Sequence, residues 1–302
     1  SLAVGTYTGT VTVSAPGYAS TSASVSFVIA DSGGCTPVAC SLIKVARPFS
    51  LGFTESSAGI VDGLGQGTGL TTYIRRADGG GYVPPALSMD TLGGGLRIAT
   101  TPGGTNTTTN NQDNMLGVGF DGTAPTVLES KLPTLPPNAA GFAQAGTWFG
   151  YSQNEVVRVA VVSLADGWRF EHTVESAGVQ TFKQQTGTLV IPTNTEVFTR
   201  ITTNPSAGTI TAAYRVGSSG AFTNLGTATV PGAFFSFDAA GINPQIGTRS
   251  FSGIFATSRN ATVRPTFAFT GFSVTAASTT PPPPPPPAGS IIFDRVSHAL
   301  SK

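Results

Sequence analysis

Residues 110–176 read NNQDNMLGVGFDGTAPTVLESKLPTLPPNAAGFAQAGTWFGYSQNEVVRVAVVSLADGWRFEHTVES, and this stretch decides the fold. It holds short alternating or apolar runs separated by Gly, Pro, Asn and Asp. Runs of that length between turn residues are the mark of antiparallel strands in a two-sheet sandwich. The same rhythm continues on both sides. Strands are expected near 95–100, 115–120, 125–132, 144–150, 155–163, 168–175, 196–203, 209–215, 224–229, 252–257 and 267–275. That many short strands, with almost no helical periodicity, suit two stacked sheets of a jelly roll.

Composition agrees. The 302 residues include 38 Gly and 22 Pro, which punctuate turns. Charged residues are 10% of the chain, against about a quarter in ordinary globular proteins. A coat of Ser, Thr, Asn and Gln must therefore cover the surface, as is common outside the cell. Disorder is excluded because 39% of residues are hydrophobic and fall in periodic runs. The net charge of +1, with no basic cluster beyond Arg75 and Arg76, argues against nucleic-acid binding. No apolar run approaches the roughly 20 residues of a membrane span.

Outside the central region the chain changes character. Residues 1–30 form two alternating runs around SAPGYASTS, a hairpin that is marginal in water by itself. Residues 31–44 read as a connector, in which GGCTPVACS places Cys35 and Cys40 close enough for a disulfide-closed loop. Residues 278–290 include seven consecutive prolines, a polyproline II rod of about 22 Å. Residues 291–302 look like the opening strand of a further module or a docking strand. With Ser1 in place of an initiator methionine, the chain reads as processed or as a segment of something longer.

The order VLESKL, QAGTWFGYSQNEVVRVAVV and a charged strand ending in VES resembles a bacterial concanavalin A-like domain. That group includes DUF1349-type domains and the accessory sandwich attached to some β-xylosidases. The resemblance extends to TNTEVFTRITTNPSAGTITAAYRV (Thr193–Val216), FTNLGTATVPG (Phe222–Gly232) and FAFTGFSVT (Phe267–Thr275), so it covers about residues 45–277. Residues 1–30 resemble the last strands of an Ig-like or BACON-type repeat. Together these imply an all-β concanavalin A-like sandwich in a secreted or cell-surface bacterial protein, with carbohydrate binding or adhesion as its role. A structural subunit that self-associates through its terminal strands is the alternative.

Catalysis is not expected. Related glucanases place E-x-D-x-E on one strand, and glycoside hydrolysis needs an acid paired with a nucleophile or base. Here Glu171 and Glu175 share a face, but Thr173 stands midway and Arg169 beside them would keep both charged. His172 alternates with Trp168 and Phe170 and points to the core. Neither a nucleophile elbow nor a phosphate-binding glycine loop is present. No cofactor is required. A structural calcium ion is conceivable, with oxygens from Asn111–Asn114, Asp121 and Asp62, although Asp and Asn before Gly are also ordinary turn residues.

Sugar sites set an aromatic ring against a pyranose and bond its hydroxyls with amides or charges. The sequence candidates are Tyr82 in GGGYVPP, Tyr151 with Gln153 and Asn154 in YSQNE, Trp168, and Arg76. Trp148 and Phe149 are neighbours on a strand, so they face opposite ways and only one is expected in the core.

Overall fold

The computed structural model describes residues 5–17, 19–29, 45–104, 110–138, 141–235, 250–260 and 262–277. Cys35, Cys40, the proline tract and residues 291–302 lie outside them. Among the described residues the chain is built of strands with two short 3-10 turns. β1 (Gly5–Val13) and β2 (Thr21–Ile29) pair as a hairpin. Then come β3 (Phe49–Leu51), β4 (Thr72–Tyr73), β5 (Leu87–Asp90), β6 (Gly95–Ala99), β7 (Leu116–Phe120) and β8 (Thr126–Leu132). β9 (Gln144–Ser152), β10 (Glu155–Leu164), β11 (Gly167–Ser176) and β12 (Val179–Gln185) form a meander. The remainder are β13 (Val197–Asn204), β14 (Thr209–Val216), β15 (Thr223–Thr229), β16 (Ser250–Thr257), β17 (Thr266–Phe269) and β18 (Gly271–Ala276).

Two antiparallel sheets make the jelly-roll-like sandwich. One has seven strands in the order β12-β11-β10-β9-β16-β7-β4; the other has six, β15-β14-β13-β8-β18-β3. The chain's order in space therefore differs from its order in sequence, with β16 inserted between β9 and β7. β5, β6 and β17 add a three-stranded sheet that the sequence did not announce. The apolar run at 267–275 is not one strand. It breaks at Thr270, so that β17 joins the small sheet and β18 joins the six-stranded one. Strands β3, β4, β5 and β12 were also invisible: the first three are at most four residues long, and β12 is an exposed edge without apolar alternation.

The core follows from pleating. In β8 burial alternates strictly, with Leu128 and Leu132 inward and Glu129 and Lys131 outward. Phe149 sits among Phe120, Phe234 and Phe235 with ring centroids 5.9–6.1 Å apart; each buried ring contributes roughly 1.5–3 kcal/mol. Three hydroxyls tie the sheets together inside this apolar layer. Thr147 Oγ1 lies 2.8 Å from Ser130 Oγ and 2.7 Å from Thr199 Oγ1, and the latter two are 2.9 Å apart. Buried hydroxyls without partners would be costly, so the triangle satisfies itself and pins the facing register.

By contrast, the β1–β2 hairpin is a separate two-stranded sheet, and its described side chains are all exposed. Val11 and Val13 are among them.

Candidate functional site

The seven-stranded sheet has an inner face against the core and an outer face whose two halves differ. β10 reveals this, because eight of its ten residues are buried on both faces. Its inner row is Val157, Val159 and Val161; its outer row is Val156, Arg158, Ala160 and Val162. A strand covered on both sides reads as a continuous apolar run rather than an alternating one, and VVRVAVV is such a run.

Over β9, β16 and β7 the outer face carries a second small core of Ile74, Met115, Trp148, Phe251 and Phe255. Trp148 lies across the sheet, its indole N–H donating to the carbonyls of Leu116 (2.9 Å) and Ile254 (3.2 Å). Gly117 makes the approach possible, since a Cβ there would stand 2.6 Å from the indole. Trp148 and Phe149 do face opposite ways, yet both are fully buried, because the outer face has a roof of its own.

Residues 110–114 organise that roof and gather four of the sequence candidates. Arg76 donates to Asp113 Oδ1 (2.8 Å) and to both oxygens of Asp78. Asp78 first, and Asp113 with it, hold the guanidinium above its ordinary pKa, and the hydrogen-bonded Arg76 guanidinium in turn holds Asp78 down at about 2. Gln153 is buried; its amide donates to the Gln112 carbonyl (2.7 Å) and accepts from the Gln112 N–H (3.0 Å). Asn154 Oδ1 accepts from Asn110 Nδ2 at 2.6 Å. Tyr82 neighbours Val83, whose backbone is clamped by the Asn114 amide. Its ring stacks on Tyr73 at 5.2 Å, its hydroxyl donates to the Val61 carbonyl, and burial pushes that hydroxyl up.

The other two candidates stand elsewhere. Tyr151 is half-buried, edge-on to Phe234 at 5.4 Å, with its hydroxyl pushed up to about 12 by burial and then by Glu155. Trp168 is buried between the sheets, edge-on to Phe267 at 6.3 Å, and has no face left for a ligand. Its position in the core follows from sharing a strand face with Phe170 and Val174. His172, on that same face, is fully buried against Phe182, and desolvation lowers it to about 4. Several of the oxygens considered for calcium are committed locally, whereas Gln112 Oε1 is buried without a partner among the described residues. Asp62 accepts the N–H groups of Leu64, Gln66 and Met89, each at 2.8 Å, and Asp121 bonds Thr123. Among the described residues no three His, Cys, Asp or Glu side chains cluster in a way that could hold a metal.

The second half of the outer face, over β10 and β11, is polar. Glu175 pairs with Arg158 at 3.2 Å, both withdrawn from water; Glu171 contacts Arg169 and lies 3.6 Å from Lys183. Where this strip meets the ends of β9 and β16, a shallow cleft of about 180 Å³ opens, lined by Phe142, Gln144, Val162, Arg169, Glu171 and Arg259. Phe142 is 46% exposed and adopts a left-handed φ of 52°, which is costly for an aromatic residue and is held by its surroundings. Ser258 supplies the brace: its hydroxyl bonds the carbonyls of Gly141 and Val263 (3.4 and 2.9 Å), tying the Phe142 segment to the loop carrying Arg259. No residue of this cleft other than Arg169 and Glu171 attracted notice in the sequence. The remaining signal was weak: GFAQ after a proline-rich turn.

An antiparallel jelly-roll-like sandwich with a shallow cleft on the outer face of its larger sheet is thus the class of protein. No protein-family model matches the chain, and no curated protein matches it either. Solved structures do match in fold. The GH43 BlXynB protein from Bacillus licheniformis superposes with a TM-score of 0.56 at 15% identity, over 78% of this chain and 40% of that one. The Bacteroides ovatus Xyloglucan PUL GH43B protein gives 0.54 at 16% identity, over 78% and 40%. A xylan beta-1,4-xylosidase from Bacillus halodurans C-125 gives 0.50 at 14% identity, over 64% and 35%. The match therefore spans two-fifths or less of these neighbours' own length, and at such identities the likeness is one of fold.

Proposed function

We propose that this sandwich is a non-catalytic carbohydrate-binding or adhesion module of a secreted or cell-surface bacterial protein, using the cleft at Phe142, Gln144 and Arg259. The observation that carries the reading is the pairing of an exposed aromatic ring with amide and charged groups in one open cleft. That combination is what a pyranose requires: an apolar face to stack on and polar groups for its hydroxyls. Support comes also from the fold neighbours, which include GH43 proteins and a xylan beta-1,4-xylosidase. The DUF1349-type and Ig-like resemblances in the sequence point the same way.

We assign no hydrolytic role because Glu171 and Glu175 already serve as counter-ions, Glu171 to Arg169 and Lys183 and Glu175 to Arg158. A glycosidase needs one of its two carboxyl groups to carry a proton to the leaving oxygen. A glycan-array screen of the full chain, with calcium and with chelator, tests the proposal. Saturable binding that falls in Phe142→Ala is the expected result. Absence of binding in both conditions would move the function to assembly. One feature favours that second reading, namely a hairpin with exposed valines and no third strand among the described residues.

A further inference from the structure

We infer that the cleft at Phe142, Gln144 and Arg259 selects a saccharide bearing a carboxylate, a uronate unit, over neutral sugars. The inference rests on the carbohydrate-binding reading and specifies its ligand. Three observations carry it.

The first is charge. Arg158, Arg169, Lys183 and Arg259 stand on or beside this half of the outer face, with Glu171 and Glu175 as the carboxylates among the described residues there. Arg158 is matched by Glu175, and Arg169 and Lys183 both by Glu171. Arg259 is the cleft cation outside these pairs. Among the described residues no carboxylate pairs with it, and the buried Arg158 guanidinium is lowered to about 10 by desolvation, Arg259 adding like-charge repulsion. An anion in the cleft relieves that repulsion.

The second is unused hydrogen-bonding capacity. Arg169 Nε is buried without a hydrogen-bond partner among the described residues, on a residue that lines the cleft. Native proteins seldom leave such a group unmet, and the Gln144 amide lines the same opening.

The third is shape. The Arg259 guanidinium sits 5.8 Å from the Phe142 ring centroid, and both are held by the Ser258 brace. A ring for the sugar's C–H face beside a guanidinium for its carboxylate matches one uronate residue. The cleft is shallow, so a glycan would meet it through the exposed face of a single unit, terminal or branching, rather than by insertion.

The test is a calorimetric titration of the full chain with galacturonate and glucuronate oligosaccharides, with their methyl esters, and with neutral xylo-oligosaccharides. The esters keep the ring and remove the charge. The expected result is a preference of about tenfold or more for the free acid, weakened by salt and abolished in Arg259→Gln. Arg259 is exposed, so that variant should fold, and an unchanged melting temperature confirms it. Phe142→Ala should weaken acid and ester together. Equal binding of acid and ester, or neutral glycans bound with no effect of Arg259→Gln, overturns the uronate inference and leaves glycan binding standing. No saccharide bound at all overturns both. Acetate displacing the oligosaccharide at comparable concentration reduces the cleft to a simple carboxylate site and overturns the saccharide assignment.

Discussion

Arg158 Nη2 lies 3.2 Å from Glu175 Oε1 across β10 and β11, with the two side chains 5% and 0% exposed. Arg158 Nε and Glu175 Oε2 make no hydrogen bond, and desolvation lowers the guanidinium to about 10. A pair held this way is vulnerable to loss of one member. Arg158→Met leaves a buried carboxylate uncompensated, and we expect a loss of about 3–5 kcal/mol in urea unfolding. The double variant Arg158→Met, Glu175→Leu should recover most of it. Equal losses in single and double variants would show that the pair is not the source.

His172 gives the fold an acid sensitivity. Its folded pKa of about 4 stands below the ordinary 6.5, with burial as the cause. The unfolded chain therefore takes up the proton first. This residue's share of stability is complete above about pH 6.5, declines as pH falls, and is lost by about pH 4. The span corresponds to roughly 3 kcal/mol. His172→Phe should flatten the stability–pH curve over that window. A curve unchanged in slope would place the acid sensitivity elsewhere.

Gly117 has room for hydrogen only. A methyl group there would stand 2.4 Å from the Ser252 carbonyl oxygen and 2.6 Å from the Trp148 indole. Gly117→Ala should cost about 1–3 kcal/mol by overpacking and should shift the tryptophan emission, since Trp148 is one of two tryptophans, both buried. An unaltered spectrum and melting temperature would contradict the packing described.

Gln153 and Tyr82 separate structural from binding roles. Gln153→Ala strips the Gln112 N–H and carbonyl of their partner and should cost about 1–3 kcal/mol. Tyr82→Phe removes one bond to Val61 and should cost about 1 kcal/mol. Neither should change affinity for a glycan held at Phe142 and Arg259. A fall in affinity at unchanged melting temperature would return the site to the roof around residues 110–114.

Much of the fold was legible because strand signals are local. VLESKL alternates because one face of β8 meets the core and the other meets water, and the valine run of β10 marked a strand, although its cover on both faces emerged only from the structure. The sharing of one face by Glu171 and Glu175 followed from the two-residue period alone. β3, β4 and β5 escaped because pairing energy from distant strands, rather than their own few residues, makes them extended.

The site was less legible. Tyr82 and Tyr151 stood out as aromatics in loop sequences, yet Tyr82 is half-buried on Tyr73 and Tyr151 against Phe234. Whether a loop tyrosine is free depends on what folds over it, and sequence spacing does not record that. The cleft draws on β9, β10, β11, the turn before β9 and the loop after β16, which lie up to 117 residues apart, the Ser258–Gly141 separation.

By itself, the sequence determined that the chain is an all-β sandwich with a neutral polar coat, because alternation, turn residues and scarcity of charge act over a few neighbours. Only the tertiary structure decided that β16 enters between β9 and β7, that the outer face of the large sheet is half roofed and half open, and that Phe142 and Arg259 meet. Those outcomes depend on long-range packing: a second small core covers one half, and the ion-paired strip over β10 and β11 leaves the cleft open at its edge.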